Sequence, residues 1–162
     1  MISVIQNFIC TKEKRLNLIR NEVPNMGKIF KDYEFFINYN TKHYFDEVYE
    51  IYRKGIDNLN FYNNLEYNWG LVTLSLIEEV KTPYTMILCE DYEYRIDYDN
   101  WKEIINEFVE KDGSYMPIGR LWKYTEEKFH GGYESGKDLW LYPASKSPGS
   151  SLSVDAIYKT EM

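Results

Sequence analysis

Glu90, Asp91 and Glu93 place three carboxylates within four residues, immediately after the apolar run Tyr84-Thr85-Met86-Ile87-Leu88-Cys89. Acids this close repel one another, and such a cluster is stable when solvated or when a cation neutralises it. Mg²⁺ and Mn²⁺ take oxygen ligands, and one or two carboxylates suffice where substrate phosphates complete the shell. A solvated acidic loop is the plain alternative; a position behind a strand-like run and earlier strand and helix units favours the ion. Amides gather at the other strand ends, in Gln6-Asn7-Phe8, Asn38-Tyr39-Asn40 and Asn63-Asn64, with Asn68 and Trp69 opening the helix that follows. An amide both donates and accepts, which suits a base or a ribose, so the set describes a polar ligand pocket beside a cation site. Lys12, Lys14, Arg15 and Arg120 are the basic residues able to meet a leaving diphosphate, although solvation is the ordinary fate of such side chains.

Other chemistry is poorly provided for. No Gly-x-Gly-x-x-Gly or Gly-x-x-x-x-Gly-Lys-Ser/Thr segment occurs, which argues against dinucleotide oxidoreductases and P-loop NTPases. His43 and His130 have no neighbour at metal-ligand spacing, and Phe129-His130-Gly131-Gly132 reads as a turn or as a lid. Cys10 and Cys89 each end an apolar run, as reduced core thiols do. A formal charge of -7 without a block of Lys or Arg disfavours nucleic acid as a partner. No apolar run approaches the roughly 20 residues of a membrane span, and Met1-Ile2-Ser3-Val4 lacks a basic signal region, so a soluble, cytoplasmic chain without a transmembrane segment is expected. The 16 tyrosines are scattered, which suits packing better than a stacking surface.

The elements that must position these residues alternate. Residues 2–10 read as a buried strand, and Leu16, Leu18, Ile19 and Val23 as a helical stripe that Pro24 closes. Tyr33 to Asn38 reads as a second strand, Phe45, Val48, Tyr49 and Tyr52 as a helix stopping at Gly55, and Leu59 to Tyr62 as a third strand. Leu71, Leu74, Ile77 and Val80, with Trp69, Val72 and Leu76 broadening the face, mark a helix packed on the sheet, and Tyr84 to Cys89 a central strand covered on both faces. A helix capped by Asp97 or Asp99 follows, then strand-like stretches at Met116 to Trp122 and Leu139 to Tyr142, and a helical turn at Val154 to Tyr158. Alternation of this kind predicts one α/β domain with a mostly parallel sheet, helices on both faces, and ligands outside the carboxyl ends of the strands.

This pattern resembles the glycosyltransferases of the GT-A fold, in particular the large family 2-like group. Ile2 to Ile5 with the polar turn and helix after it looks like that family's first strand and helix; Tyr33 to Asn38 is similar to its second strand, and Tyr67 to Cys89 to the helix and strand before its metal motif. The resemblance implies a nucleotide-binding part over residues 1–100 and the start of an acceptor-side part over 101–162. It further implies a nucleotide-sugar donor, a glycan or other hydroxyl acceptor, and Mn²⁺ or Mg²⁺ on Asp91 with Glu93 as second ligand. Glu90 would contact ribose or sugar, and Asn38 or Asn40 would sit by the base. The chain departs from the family in having Asn where an Asp commonly ends the second strand, and Glu-Asp-Tyr-Glu where two aspartates are usual. Family members also continue beyond this length, towards an acidic base near an acceptor-binding helix. Asp155 is the candidate for that base, with helix capping as its ordinary role. A non-catalytic nucleotide- or sugar-binding module lacking the acceptor half is the alternative function.

Overall fold

Seven consecutive buried residues, Ile2–Phe8, form the central strand β1. The computed structural model describes residues 2–66, 68–90, 97–110, 113–117, 133–134, 140–143 and 156–160. After β1 come α1 (Glu13–Ile29), β2 (Glu34–Tyr39), α2 (Phe45–Gly55), β3 (Leu59–Tyr62), α3 (Trp69–Glu79) and β4 (Tyr84–Ile87). Then follow α4 (Tyr98–Glu110), β5 (Gly113–Pro117), β6 (Tyr133–Glu134), β7 (Trp140–Pro143) and β8 (Ala156–Lys159). The strands are ordered β3-β2-β1-β4-β8-β5-β7-β6. β1 pairs in parallel with β2 on one side and β4 on the other, and β3 adds in parallel beyond β2. The chain thus builds outward from β1 to β3 and returns across it to β4, so the strand order reverses between β1 and β4. From β4 onward the pairing is antiparallel, through β8, β5, β7 and β6.

Side chains that alternate along each strand build two layers. Val4, Phe35, Ile37 and Met86 face the main core with Leu16, Ile19, Val23, Met26 and Ile29 of α1, Val48 and Tyr52 of α2, and Trp101, Ile104 and Phe108 of α4. Ile5 and Phe36 face the opposite way, against Leu76 and Val80 at α3. Asp97 opens α4, its Oδ1 accepting from the Asn100 amide at 2.8 Å, and Trp101 Nε1 donates to the Tyr33 hydroxyl at 2.8 Å.

Three local expectations are corrected. α1 does not stop at Pro24 but continues to Ile29. Pro24 is exposed, and the burial of Val23, Met26 and Ile29 on the inner face offsets its missing hydrogen bond. Only part of the broad face expected for α3 turns inward: Val72, Leu76 and Val80 are buried together with Thr73, while Leu71 and Leu74 are 59% and 51% exposed. A helix apolar all round does not encode which side is inner. Residues 156–159 form a strand, not a helical turn, because Ala156 and Ile157 fill the slot beside Ile87 and Met86 of β4.

α1 and α2 cross with almost no side chain between them, since a Cβ on Gly27 would lie 1.8 Å from the Gly55 carbonyl oxygen. Gly27→Ala must push the helices apart, and we expect a loss of about 1–3 kcal/mol as overpacking, read as a lower urea midpoint at unchanged slope. Gly55→Ala meets the movable Val23 side chain at 2.9 Å and should cost less. Equal midpoints for Gly27→Ala and wild type would contradict the close crossing.

Candidate functional site

Where the strand order reverses, the loops after β1 and β4 part and leave a cleft of about 780 Å³ at the carboxyl edge of the sheet. Asn7, Phe8 and Ile9 line it from β1, Arg15 from the first turn of α1, and Asn40 from the end of β2; Leu65 and Trp69 come from the entry to α3, and Leu88, Cys89 and Glu90 from the end of β4. Trp69 is 43% and Leu65 47% exposed, so the rim is apolar and open, while Asn7 and Phe8 are buried at the floor.

The floor is tied together by amides. In the parallel register Asn7 lies beside Asn38. Asn38 Nδ2 donates to Asn7 Oδ1 at 3.0 Å and to the Asn64 carbonyl at 3.1 Å, and its Oδ1 accepts from the Asn64 amide at 2.7 Å. Asn7 Nδ2 donates to the Trp69 carbonyl at 3.1 Å and to Thr73 Oγ1 at 3.3 Å, while Trp69 Nε1 returns a bond to the Asn7 carbonyl at 2.9 Å. Gln6 bridges β4 and α2: Nε2 donates to the Cys89 carbonyl at 3.3 Å, and Oε1 accepts from the Tyr52 hydroxyl at 2.7 Å. Burial, reinforced by the charge of Glu90, pushes the Tyr52 phenol well above its ordinary pKa, so it stays a neutral donor. Tyr39, pushed up to about 12 mainly by burial, donates to the Cys10 carbonyl at 3.0 Å and joins the ends of β1 and β2.

Asn7, Phe8, Asn40, Trp69 and Glu90, five of the residues the sequence selects, are therefore gathered around the cleft. Gln6 and Asn38 are 1% and 0% exposed beneath it, with their amides engaged by the protein. Asn68 caps α3, its Oδ1 accepting from the Leu71 amide at 3.2 Å. Asn40 lines the wall and donates to the Glu66 carbonyl at 2.7 Å. Asp91, Glu93 and Asp155 lie outside the described residues, as do Arg120, His130, Gly131 and Gly132. Among the described residues no group of three His, Cys, Asp or Glu side chains is placed to hold a metal ion.

Arg15 is the cleft residue that residue type alone did not single out from the other basic side chains. Its Nε lies 2.8 Å from Glu90 Oε1, and Nη1 donates to the Ile9 carbonyl at 3.2 Å. The available signal was position, one turn into the helix that follows the central strand. Cys89 lines the cleft half-buried, whereas Cys10 is fully buried, its thiol pushed up by that burial and held towards the Lys12 carbonyl.

Solved structures of S. aureus TarS, a glycosyltransferase, share this architecture. TarS 1-349 aligns with a TM-score of 0.60 at 12% identity, over 98% of this chain and 47% of that one. The longer TarS structure aligns at 0.62 and 15% identity, over 98% and 28%, and the TarS 1-349 complex with UDP-GlcNAc at 0.60 and 13%, over 98% and 45%. The likeness is one of fold. The α/β, GT-A-like fold expected from the sequence is the one shared with these structures, and the chain spans less than half the length of these proteins. No protein-family model matches the chain, and no curated protein matches it in sequence. No helix among the described residues is long and apolar enough to cross a membrane.

The amide network makes a stability prediction. Asn38→Ala removes the donor to Asn7 Oδ1 and both contacts to Asn64, and each buried group left unsatisfied should cost about 1–3 kcal/mol in urea unfolding. Asn38→Asp puts a carboxylate against Asn7 Oδ1 and the Asn64 carbonyl oxygen, which favours its protonated form in the fold. Its deficit should therefore grow as pH rises and shrink as pH falls. A deficit independent of pH would mean that the amide is not committed as described.

Proposed function

We propose that the chain binds a nucleotide-sugar donor in the cleft at the reversal of strand order and takes part in transferring its sugar to an acceptor hydroxyl. The observation that carries this reading is the cleft itself, which opens where β1, β2 and β4 end, in a fold shared with TarS. TarS has been solved with UDP-GlcNAc and with UDP. The exposed ring of Trp69 above a buried floor suits a ligand with a flat base. In this reading Asn40 offers a polar group from the wall, and Trp69 offers its ring.

Asp91 and Glu93 follow Glu90 in the chain, and Glu90 lines the cleft. As oxygen donors they suit a hard divalent ion, and we assign them to Mn²⁺ or Mg²⁺. Such an ion would offset the charge of the diphosphate as it leaves. The acceptor oxygen forms a bond to the sugar's anomeric carbon as the bond from that carbon to the diphosphate oxygen breaks, and the hydroxyl proton passes to a base. Asp155 is our candidate for that base. Ala156, the next residue in the chain, pairs with Ile87 of β4.

Calorimetry with UDP is expected to show binding that strengthens with Mn²⁺ in the wild type and loses that dependence in Asp91→Ala. Binding indifferent to both manipulations would refute the metal assignment. Because Cys89 lines the cleft and Cys10 is buried, a thiol reagent should label one cysteine rapidly, and UDP should slow that labelling at least several-fold. Unprotected Cys89 at saturating UDP would place the nucleotide elsewhere. Donor binding with neither hydrolysis nor transfer to any acceptor would mark the chain as a binding module.

A further inference from the structure

Arg15 and Glu90 meet in the cleft from opposite sides of the strand-order reversal, one in the first turn of α1 and the other after β4. The Arg15 side chain is 38% exposed and that of Glu90 8%. An exposed pair of this kind counts for little, but a carboxylate so buried is costly without its partner, and the pairing is thereby imposed by the fold. A second bond, from Nη1 to the Ile9 carbonyl at 3.2 Å, fixes the plane of the guanidinium. Arg15 consequently stands at one place in the cleft wall with more than a third of its side-chain surface accessible.

A held, partly exposed guanidinium is suited to phosphate oxygens: it is always charged, planar and forked, and pre-organisation reduces the entropy lost on binding. The pairing also changes the accounting of the acidic segment. Glu90, Asp91 and Glu93 are three negative charges in four residues, and Arg15 takes up the first of them.

We infer that Arg15 docks the diphosphate of the nucleotide, and that Glu90 is its positioning residue, neither a metal ligand nor a contact to the sugar. This rests on the nucleotide-sugar reading above. Glu90 acts by holding the guanidinium, so its contribution to binding runs through Arg15.

The test titrates the 162-residue chain with UDP and with uridine in Mn²⁺, alongside Arg15→Gln, Arg15→Lys, Glu90→Ala and the Arg15→Gln/Glu90→Ala double variant. Arg15→Gln should weaken UDP about 10- to 100-fold, the range of a charge-assisted hydrogen bond, and leave uridine unchanged. Arg15→Lys, which keeps the charge and can keep the pairing, should fall between and remains informative where the glutamine variant fails to fold. Glu90→Ala should weaken UDP as well, and the double variant should be no weaker than Arg15→Gln alone. Equal UDP affinity in wild type and Arg15→Gln, or parallel losses of UDP and uridine, overturns the assignment of Arg15 and leaves the nucleotide reading standing. Additive losses in the double variant overturn the role given to Glu90. A wild type that binds neither ligand ends the nucleotide reading itself.

Discussion

The parallel pairing of β1 with β2 on one side and β4 on the other is the constraint on which the rest depends. Because β1 is buried along its whole length, it must satisfy its backbone groups by two neighbouring strands, and its polar side chains at Gln6 and Asn7 need partners inside the protein. Parallel neighbours require crossovers, and crossovers of one hand carry α1 and α2 to one face and α3 to the other. A shift of β1 by one residue would exchange Val4 with Ile5 between the two cores and move Asn7 out of line with Asn38. The cleft therefore inherits its geometry from strand register, fixed well away from any ligand.

The amides at the strand ends show how closely fold and site share material. Their polar atoms lie where backbone pairing runs out, and a buried polar group there needs a partner or water. Asn38 takes its partners from Asn7 and from the backbone at Asn64, so a segment far along the chain is pinned by a side chain at the end of β2. An aspartate at this position would lose both donor contacts. The asparagine that departs from the resembling family's pattern is thus explained by its neighbours in this chain, through two donated bonds beside an accepted one, a set that a carboxylate cannot make.

The first four strands and the first four helices were legible because each has a distinct period, a compatible length and a stop such as Gly55 or the Asp97 cap. Legibility failed where local pattern was degenerate. α3 is apolar on every side, and its inner face is selected by Trp69 and Thr73 bonding to Asn7, contacts across more than 60 residues that no periodicity records. Ala156 to Lys159 is too short for period to distinguish strand from helix, and the open side of β4 decides it. Proline at 24 is a local stop signal outweighed by burial on the opposite side of the helix. The location of the cleft was legible from alternation of strands and helices alone. The division of labour among its residues was not, since identical residue types serve as struts at Asn38 and as wall at Asn40.

That division bears on what the cleft can recognise. Its floor is rigid: Gln6, Asn7 and Asn38 are locked by bonds that cross strands, and movement of any one leaves buried partners unsatisfied. Discrimination between ligands must then come from the side chains that stand above the floor, chiefly Asn40, Leu65, Trp69 and Arg15. Of these only Arg15 carries a charge, and it is held by a glutamate at the head of the acidic segment. Polar floor, apolar rim and paired charges thus meet in one cleft, with Trp69 at its rim and the Arg15–Glu90 pair where α1 and the end of β4 adjoin.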